Sequence, residues 1–133
     1  MEYAPPSTRY TMSDNSCIRV FADVNQISQS KERLAQVDAA IVPLASVLNL
    51  AGNEVRLKML LLLFEQQNLC VCDIADVLNM KISPVSQHLR KLKDGGLIRS
   101  EKVGQTVFYS FNTQYTALFQ PLFAAMPVVQ SVS

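Results

Sequence analysis

Apolar residues recur in steps of three and four through most of the chain, switch to every second position near residue 100, and then return to helical spacing. Between about Gln29 and Leu50, the positions Leu34, Val37, Ile41, Leu44 and Leu48 alternate steps of three and four, the seam of a helix packed on a partner helix. Pro43 falls inside this run and removes a helical N–H donor, so the pattern predicts two helices or a kink near Val42. Ala51-Gly52-Asn53 breaks the pattern, and Asn53 is placed to cap a helix from Glu54 to about Gln66. That helix holds the longest apolar run, Met59 to Phe64, and is expected to be the hub of the core.

A short helix should follow from about Val71 to Leu78, with Ile74, Val77 and Leu78 facing inward. The stretch "NMKIS" reads as a turn, and Ser83-Pro84 as the start of a new helix, a capping hydroxyl followed by proline at the first helical position. Val85, His88, Leu89 and Leu92 give this helix one apolar face as far as about Asp94, where Gly95-Gly96 stops it. "LIRSEKVGQTVFYSF" then alternates apolar and polar residues on both sides of Val103-Gly104-Gln105, which predicts a β-hairpin. Helical spacing resumes with Leu118, Phe119, Leu122, Phe123 and Met126, although Pro121 sits awkwardly within it. Two short helices joined by a tight turn and followed by a hairpin predict a mainly α fold with a small β-hairpin, a winged helix-turn-helix.

Composition supports one globular domain: the chain has 133 residues, of which 49% are hydrophobic. Residues 1–28, polar and rich in Pro and Ser at their start, read as a mobile arm carrying Cys17, and residues 29–133 as the DNA-binding and dimerisation domain. No uninterrupted apolar run reaches the length of a membrane span, and the N-terminus lacks a basic stretch leading into an apolar one. Three cysteines are too few for a disulfide scaffold. Together these features predict a cytoplasmic protein with no membrane partner.

Charge sharpens the picture. The net charge is only +1, yet Lys81, Arg90, Lys91, Lys93, Arg99 and Lys102 gather half of the 12 basic residues into one short segment. A basic segment on an otherwise acidic chain favours an anionic partner, with double-stranded DNA first. In a recognition helix the N-terminal residues reach base edges, so Ser83, Ser86, Gln87 and Arg90 are candidate readers, flanked by Lys91. Lys81 and Lys93 are better placed to neutralise phosphates, and on the wing Arg99, Lys102 and Gln105 are candidates for backbone or minor-groove contact. His88, the only histidine, lies among inward-facing residues with no ligand partner on its helix, and reads as a packed or hydrogen-bonded side chain. One recognition helix covers a half-site only, and the seam from Leu34 to Leu48 leaves surplus apolar surface, so a homodimer is expected.

Cys70 and Cys72 are separated by one valine where a helix is expected to begin. Within a regular helix or strand, positions i and i+2 point apart. Both sulfurs can face one ion if Cys70 lies in the non-helical approach and Cys72 in the first turn, where the helix N-terminus also favours thiolate. The third thiol is Cys17, on the arm. Three sulfurs suit thiophilic ions such as Pb(II), Cd(II), Hg(II) or As(III), whereas cysteines also serve simply as small buried apolar residues.

"LCVCDIADVLNM", "ISPVSQHLRKLKDGGLI" and "KVGQTVFYSF" in this order, together with "LAGNEVRLKMLLLL", resemble the ArsR/SmtB metal-sensing repressors over roughly Leu34 to Phe111. The resemblance implies a homodimeric winged-helix repressor that leaves its operator when a metal ion or metalloid binds. Within that family the arrangement is similar to the cadmium- and lead-responsive branch, in which an N-terminal arm supplies thiols to a Cys-x-Cys site across the dimer. Cys17 matches the arm's first cysteine, but the second position is Phe21 here, which removes a fourth thiolate. The third cysteine common in the arsenic-responsive branch is replaced by Ala75, and the tail from Thr113 to Ser133 has no Asp, Glu or His for the family's zinc site.

The expected function is therefore a repressor released from operator DNA by a thiophilic ion bound through Cys17, Cys70 and Cys72. A thiol-redox or persulfide sensor of the same fold is the first rival, and a winged-helix interaction module that binds no DNA is the second. An enzyme is not expected, nor an organic cofactor: no nucleophile has a base, no carboxylates pair in a motif, and no Gly-rich loop cradles phosphate.

Overall fold

The computed structural model describes residues 10–13 and 16–128, with side chains from Ile18 onward. The chain divides into two compact units, Met1–Val42 and Pro43–Ser133. In the first, β1 (Tyr10–Ser13) pairs antiparallel with β2 (Ser16–Arg19), setting Met12 opposite Cys17. Of the expected arm, residues 10–13 and 16–19 are paired strand and residues from Val24 onward are already helical, whereas residues 1–9, 14 and 15 lie outside those described. Helix α1 (Val24–Ala51) starts earlier than the seam predicted. Asp23 accounts for this, since its carboxylate accepts from the Gln26 N–H at 3.0 Å in an N-cap arrangement.

Of the two helices or kink expected near Val42, two separate helices are not found: α1 continues through Pro43 as one helix. Proline removes one donor and crowds the preceding turn, but the apolar positions on either side keep a single helical phase. Leu34, Ile41, Leu44 and Leu48 remain exposed within the single chain, while Val47 and Ala51 are buried. By length and composition α1 is also the one described helix that meets the requirements of a membrane span, which the longest uninterrupted apolar run does not reveal. Gln36, Asp38, Ser46 and Asn49 interleave its apolar stretch, a pattern suited to helix packing.

The second unit is built on α2 (Glu54–Gln66), capped by Asn53, whose side chain accepts from the Arg56 N–H at 3.1 Å. Met59, Leu60 and Leu63 are fully buried, as the sequence predicts for the hub of the core. They meet Ile74 of α3 (Val71–Leu78) and Val85, Leu89 and Leu92 of α4 (Ile82–Asp94). Val77, expected inward, is 60% exposed; Ile74 and Ala75 complete the contact instead. Helix α4 also begins at Ile82, two residues before Pro84, with Lys81 rather than Ser83 as its N-cap. Pro84 then occupies the first turn, where backbone N–H groups have no helical partner to lose.

Helix α4 ends in a Schellman closure: Gly96 takes a left-handed φ of 81°, and the Leu97 N–H donates to the Leu92 carbonyl at 3.0 Å. The next strands, β4 (Ile98–Val103) and β5 (Thr106–Phe111), form the predicted hairpin around Gly104 and Gln105, with Gly104 at φ 64°. A third strand, which the alternation does not predict, joins them. β3 (Leu69–Cys70) pairs with β5, giving the order β3-β5-β4. Two residues are too few for alternation to register. α5 (Thr116–Ala124) carries Pro121 within it and buries Phe119, while Leu122 and Met126 of the helically spaced set are exposed. Edge-to-face packing of Phe64 on Phe111 (5.2 Å) and of Phe111 on Phe119 (5.8 Å) joins α2, β5 and α5.

Candidate nucleic-acid interface and thiol site

The tight turn between α3 and α4 is closed by Asn79, a left-handed residue at φ 53°, and by the Met80 N–H donating to the Ala75 carbonyl at 3.0 Å. The core-facing side of α4 is filled by Val85, Leu89 and Leu92, so its polar residues are turned outward. Ser83, Ser86, Gln87 and Arg90 line one concavity on the surface of α4, which brings all four candidate readers together. Lys81, Lys91 and Lys93 are exposed around them. On the wing, Arg99, Lys102 and Gln105 are likewise exposed, but strand alternation sets Arg99 and Lys102 on opposite faces.

Two side chains that fix this surface gave no signal in the sequence pattern. Arg56 on α2 donates from Nε to the Leu50 carbonyl at the end of α1 (2.7 Å), and its Nη1 lies 3.4 Å from His88 Nδ1 on α4. Asn112, buried after β5, donates to the Gly96 carbonyl at 2.7 Å and caps the Gln114 N–H at 3.1 Å, tying the wing to the end of the recognition helix. His88 is therefore a packed, hydrogen-bonded residue, as its position predicts.

Burial first, and then the charges of Arg56 and Lys91, hold the His88 pKa below its ordinary value of 6.5. Above that value both folded and unfolded chains carry a neutral His88, and it contributes no pH dependence. As pH falls through 6.5 the unfolded chain takes up a proton that the folded one resists, so stability declines until the lowered folded pKa is passed. His88→Gln, which keeps an acceptor for Arg56, should melt with a shallower loss between pH 7 and 5.5 than the wild type. Equal slopes in thermal melts would remove His88 from the account.

At the thiols the placement expected from the sequence is found. Cys70 is the N-cap of α3 in extended conformation (φ −87°, ψ 169°), and Cys72 lies in the first turn. Both are free; Cys70 is half-buried and Cys72 exposed. The approach to Cys70 runs through Gln67 and Asn68, two non-glycine residues at φ 45° and 56°, which turn the chain sharply from α2 into β3. Asp73 accepts the Cys70 N–H at 3.1 Å. Hydrogen bonds from the Cys70 side chain, first, and from its backbone lower the Asp73 pKa. Cys70 is also a strand residue: it pairs with Phe108, which on its other side pairs with Glu101 of the wing.

Among the described residues, no group of three or more His, Cys, Asp or Glu side chains is arranged to hold a metal ion. Cys70 and Cys72 belong to the second unit, and Cys17 to the first.

Comparison with known proteins places these features in a family. The profile of the "Bacterial regulatory protein, arsR family" matches residues 53–100. The cadmium resistance transcriptional regulatory protein CadC of Listeria innocua is 31% identical over 98 residues, covering 74% of this chain and 81% of that protein. Among solved structures, reduced HlyU from Vibrio cholerae superposes with a TM-score of 0.62 at 30% identity, over 67% of this chain and 94% of the other. The homodimeric winged helix-turn-helix DNA-binding domain of a possible ArsR-family transcriptional regulator from Mycobacterium bovis gives 0.60 at 29% identity, over 66% and 82%.

Proposed function

We propose, from the premise that this chain belongs to the ArsR family of bacterial regulatory proteins, that it is a cytoplasmic repressor binding operator DNA as a homodimer and released by a thiophilic ion. The observation that carries this reading is the placement of Cys70 and Cys72. They bracket the start of α3, the helix before the recognition helix, and Cys70 lies in the same sheet as the wing. The apolar seam of α1, exposed in the single chain, is the natural surface for the second copy.

The donor set fits a soft cation. Two free thiols at the start of α3 are soft donors, and the Asp73 carboxylate beside them adds negative charge that suits a cation better than an anionic polysulfide. Cys17, from the same or the partner subunit, is the proposed third ligand. Three sulfurs favour Pb(II), Hg(II) or As(III), and Cd(II) with a further donor; the divalent cations gain most from Asp73. An ion held by Cys17, Cys70 and Cys72 would supply thiolate–metal bonds linking the arm to the start of α3.

Two routes connect that point to DNA. α3 shares its core with α4 through Ile74, Val85 and Leu89, so a shift of one helix tilts the other. β3 is hydrogen-bonded to β5, so a shift at Cys70 also reaches the wing. Allosteric couplings are about 1–3 kcal/mol, and a switch from 1:99 to 99:1 requires about 5.5 kcal/mol. Two routes and two subunits acting together narrow that gap.

The experiment is a thiolate-to-metal charge-transfer titration of the purified protein with Pb(II), Cd(II), Hg(II) and As(III). One ion per Cys70–Cys72 pair is expected, and Cys17→Ser should weaken binding and change the band. An unchanged spectrum and affinity in Cys17→Ser would exclude the arm as a ligand source.

A further inference from the structure

Helix α4 begins at Ile82, two residues earlier than its capping signal suggested, and this places a large apolar side chain at the first position of the recognition helix. Ile82 is 51% exposed, while the inner face of α4 is already completed by Val85, Leu89 and Leu92, each fully buried. The core therefore has no use for most of this side chain. Ile82, Ser86 and Arg90 follow one another at intervals of four and form one stripe. Ser86 and Arg90 belong to the concavity of candidate readers. Ile82 is thus the apolar head of an otherwise polar reading surface, flanked by the exposed Lys81 and Ser83.

Base edges in the major groove offer hydrogen-bond donors and acceptors, and one apolar feature, the C5-methyl group of thymine. The N-terminal residues of a recognition helix are the ones that approach those edges. We propose that Ile82 is a specificity-determining residue that packs against a thymine methyl group in each half-site. Its neighbours cannot make this contact, since Lys81 and Arg90 seek phosphate or guanine, and Gln87 seeks adenine. The inference rests on the DNA-binding reading above and adds to it a base preference that hydrogen-bonding residues do not supply.

The test begins by selecting a preferred duplex from a random pool with the wild-type protein. Each thymine of the half-site is then replaced singly by deoxyuridine, which lacks only the C5-methyl. Affinities are measured for the wild type and for Ile82→Ala, whose fold should be intact because the side chain is exposed. Loss of one buried methyl corresponds to about a fourfold weakening per half-site. The expected result is one thymine per half-site at which deoxyuridine weakens the wild type by about that factor and leaves Ile82→Ala unaffected. Equal sensitivity of the two proteins at every thymine, or no sensitivity in either, overturns the role of Ile82 and leaves DNA binding standing. Failure to enrich any sequence overturns the DNA-binding reading itself, and the role of Ile82 with it.

Discussion

Replacing Cys70 and Cys72 together by serine is expected to preserve DNA binding and abolish its response to ions. Serine is among the favoured N-cap residues, so at Cys70 it should start α3 as well as the native thiol does. At Cys72 the side chain is exposed and contributes little to the core. The fold should therefore survive, with a melting temperature close to that of the wild type. What disappears is the soft donor set, because a neutral hydroxyl is a poor ligand for Pb(II), Hg(II) or As(III). An ion-driven weakening of DNA affinity of about 5- to 150-fold, the ordinary range of coupling, should fall to none. Release persisting undiminished in the double variant would mean that the ions act elsewhere.

The second large effect is that of salt. Lys81, Arg90, Lys91, Lys93, Arg99 and Lys102 are all exposed and lie on the turn, the recognition helix and the wing. A dimer that neutralises six to ten phosphates loses about 10³–10⁵ in affinity between 50 and 200 mM salt. Lys93→Gln should lower the slope of log affinity against log salt by about 2 in the dimer, one phosphate per subunit. Gln87→Ala should leave the slope unchanged and cost about 1–3 kcal/mol on the preferred sequence only. A flat salt dependence across the series would place the chain among winged-helix modules that do not bind DNA.

The helices that bury a continuous face were legible before any coordinates. The bounds of α2 and α3 follow from Asn53, from the apolar run Met59–Phe64, and from Ile74 with Leu78. The readers on α4 were legible for the same reason: once Val85, Leu89 and Leu92 point inward, the polar residues must face out. Other features depend on contacts that no local pattern records. β3 spans two residues and exists because β5 offers it an edge. Arg56 and Asn112 act through carbonyls distant in sequence, at Leu50 and Gly96. Pro43 predicts two helices or a kink where the chain runs one helix, and Pro84 a start where α4 is already two residues under way, since a proline forbids one hydrogen bond without dictating where a helix begins. The sequence pattern puts Ile82 in a turn, and its exposure at the head of α4 follows from the true start of that helix.

The central claim is that reversible ion binding at the thiols controls DNA release, and one measurement addresses it directly. Fluorescence anisotropy of a labelled, protein-selected duplex is followed under anaerobic, reducing conditions as Pb(II) is added and then removed with excess chelator. The account predicts a fall to the value of free DNA, full recovery after chelation, and no release by peroxide when the chelator is present from the start. A complex that holds through the titration would contradict it, as would release that survives chelation or is produced by peroxide alone.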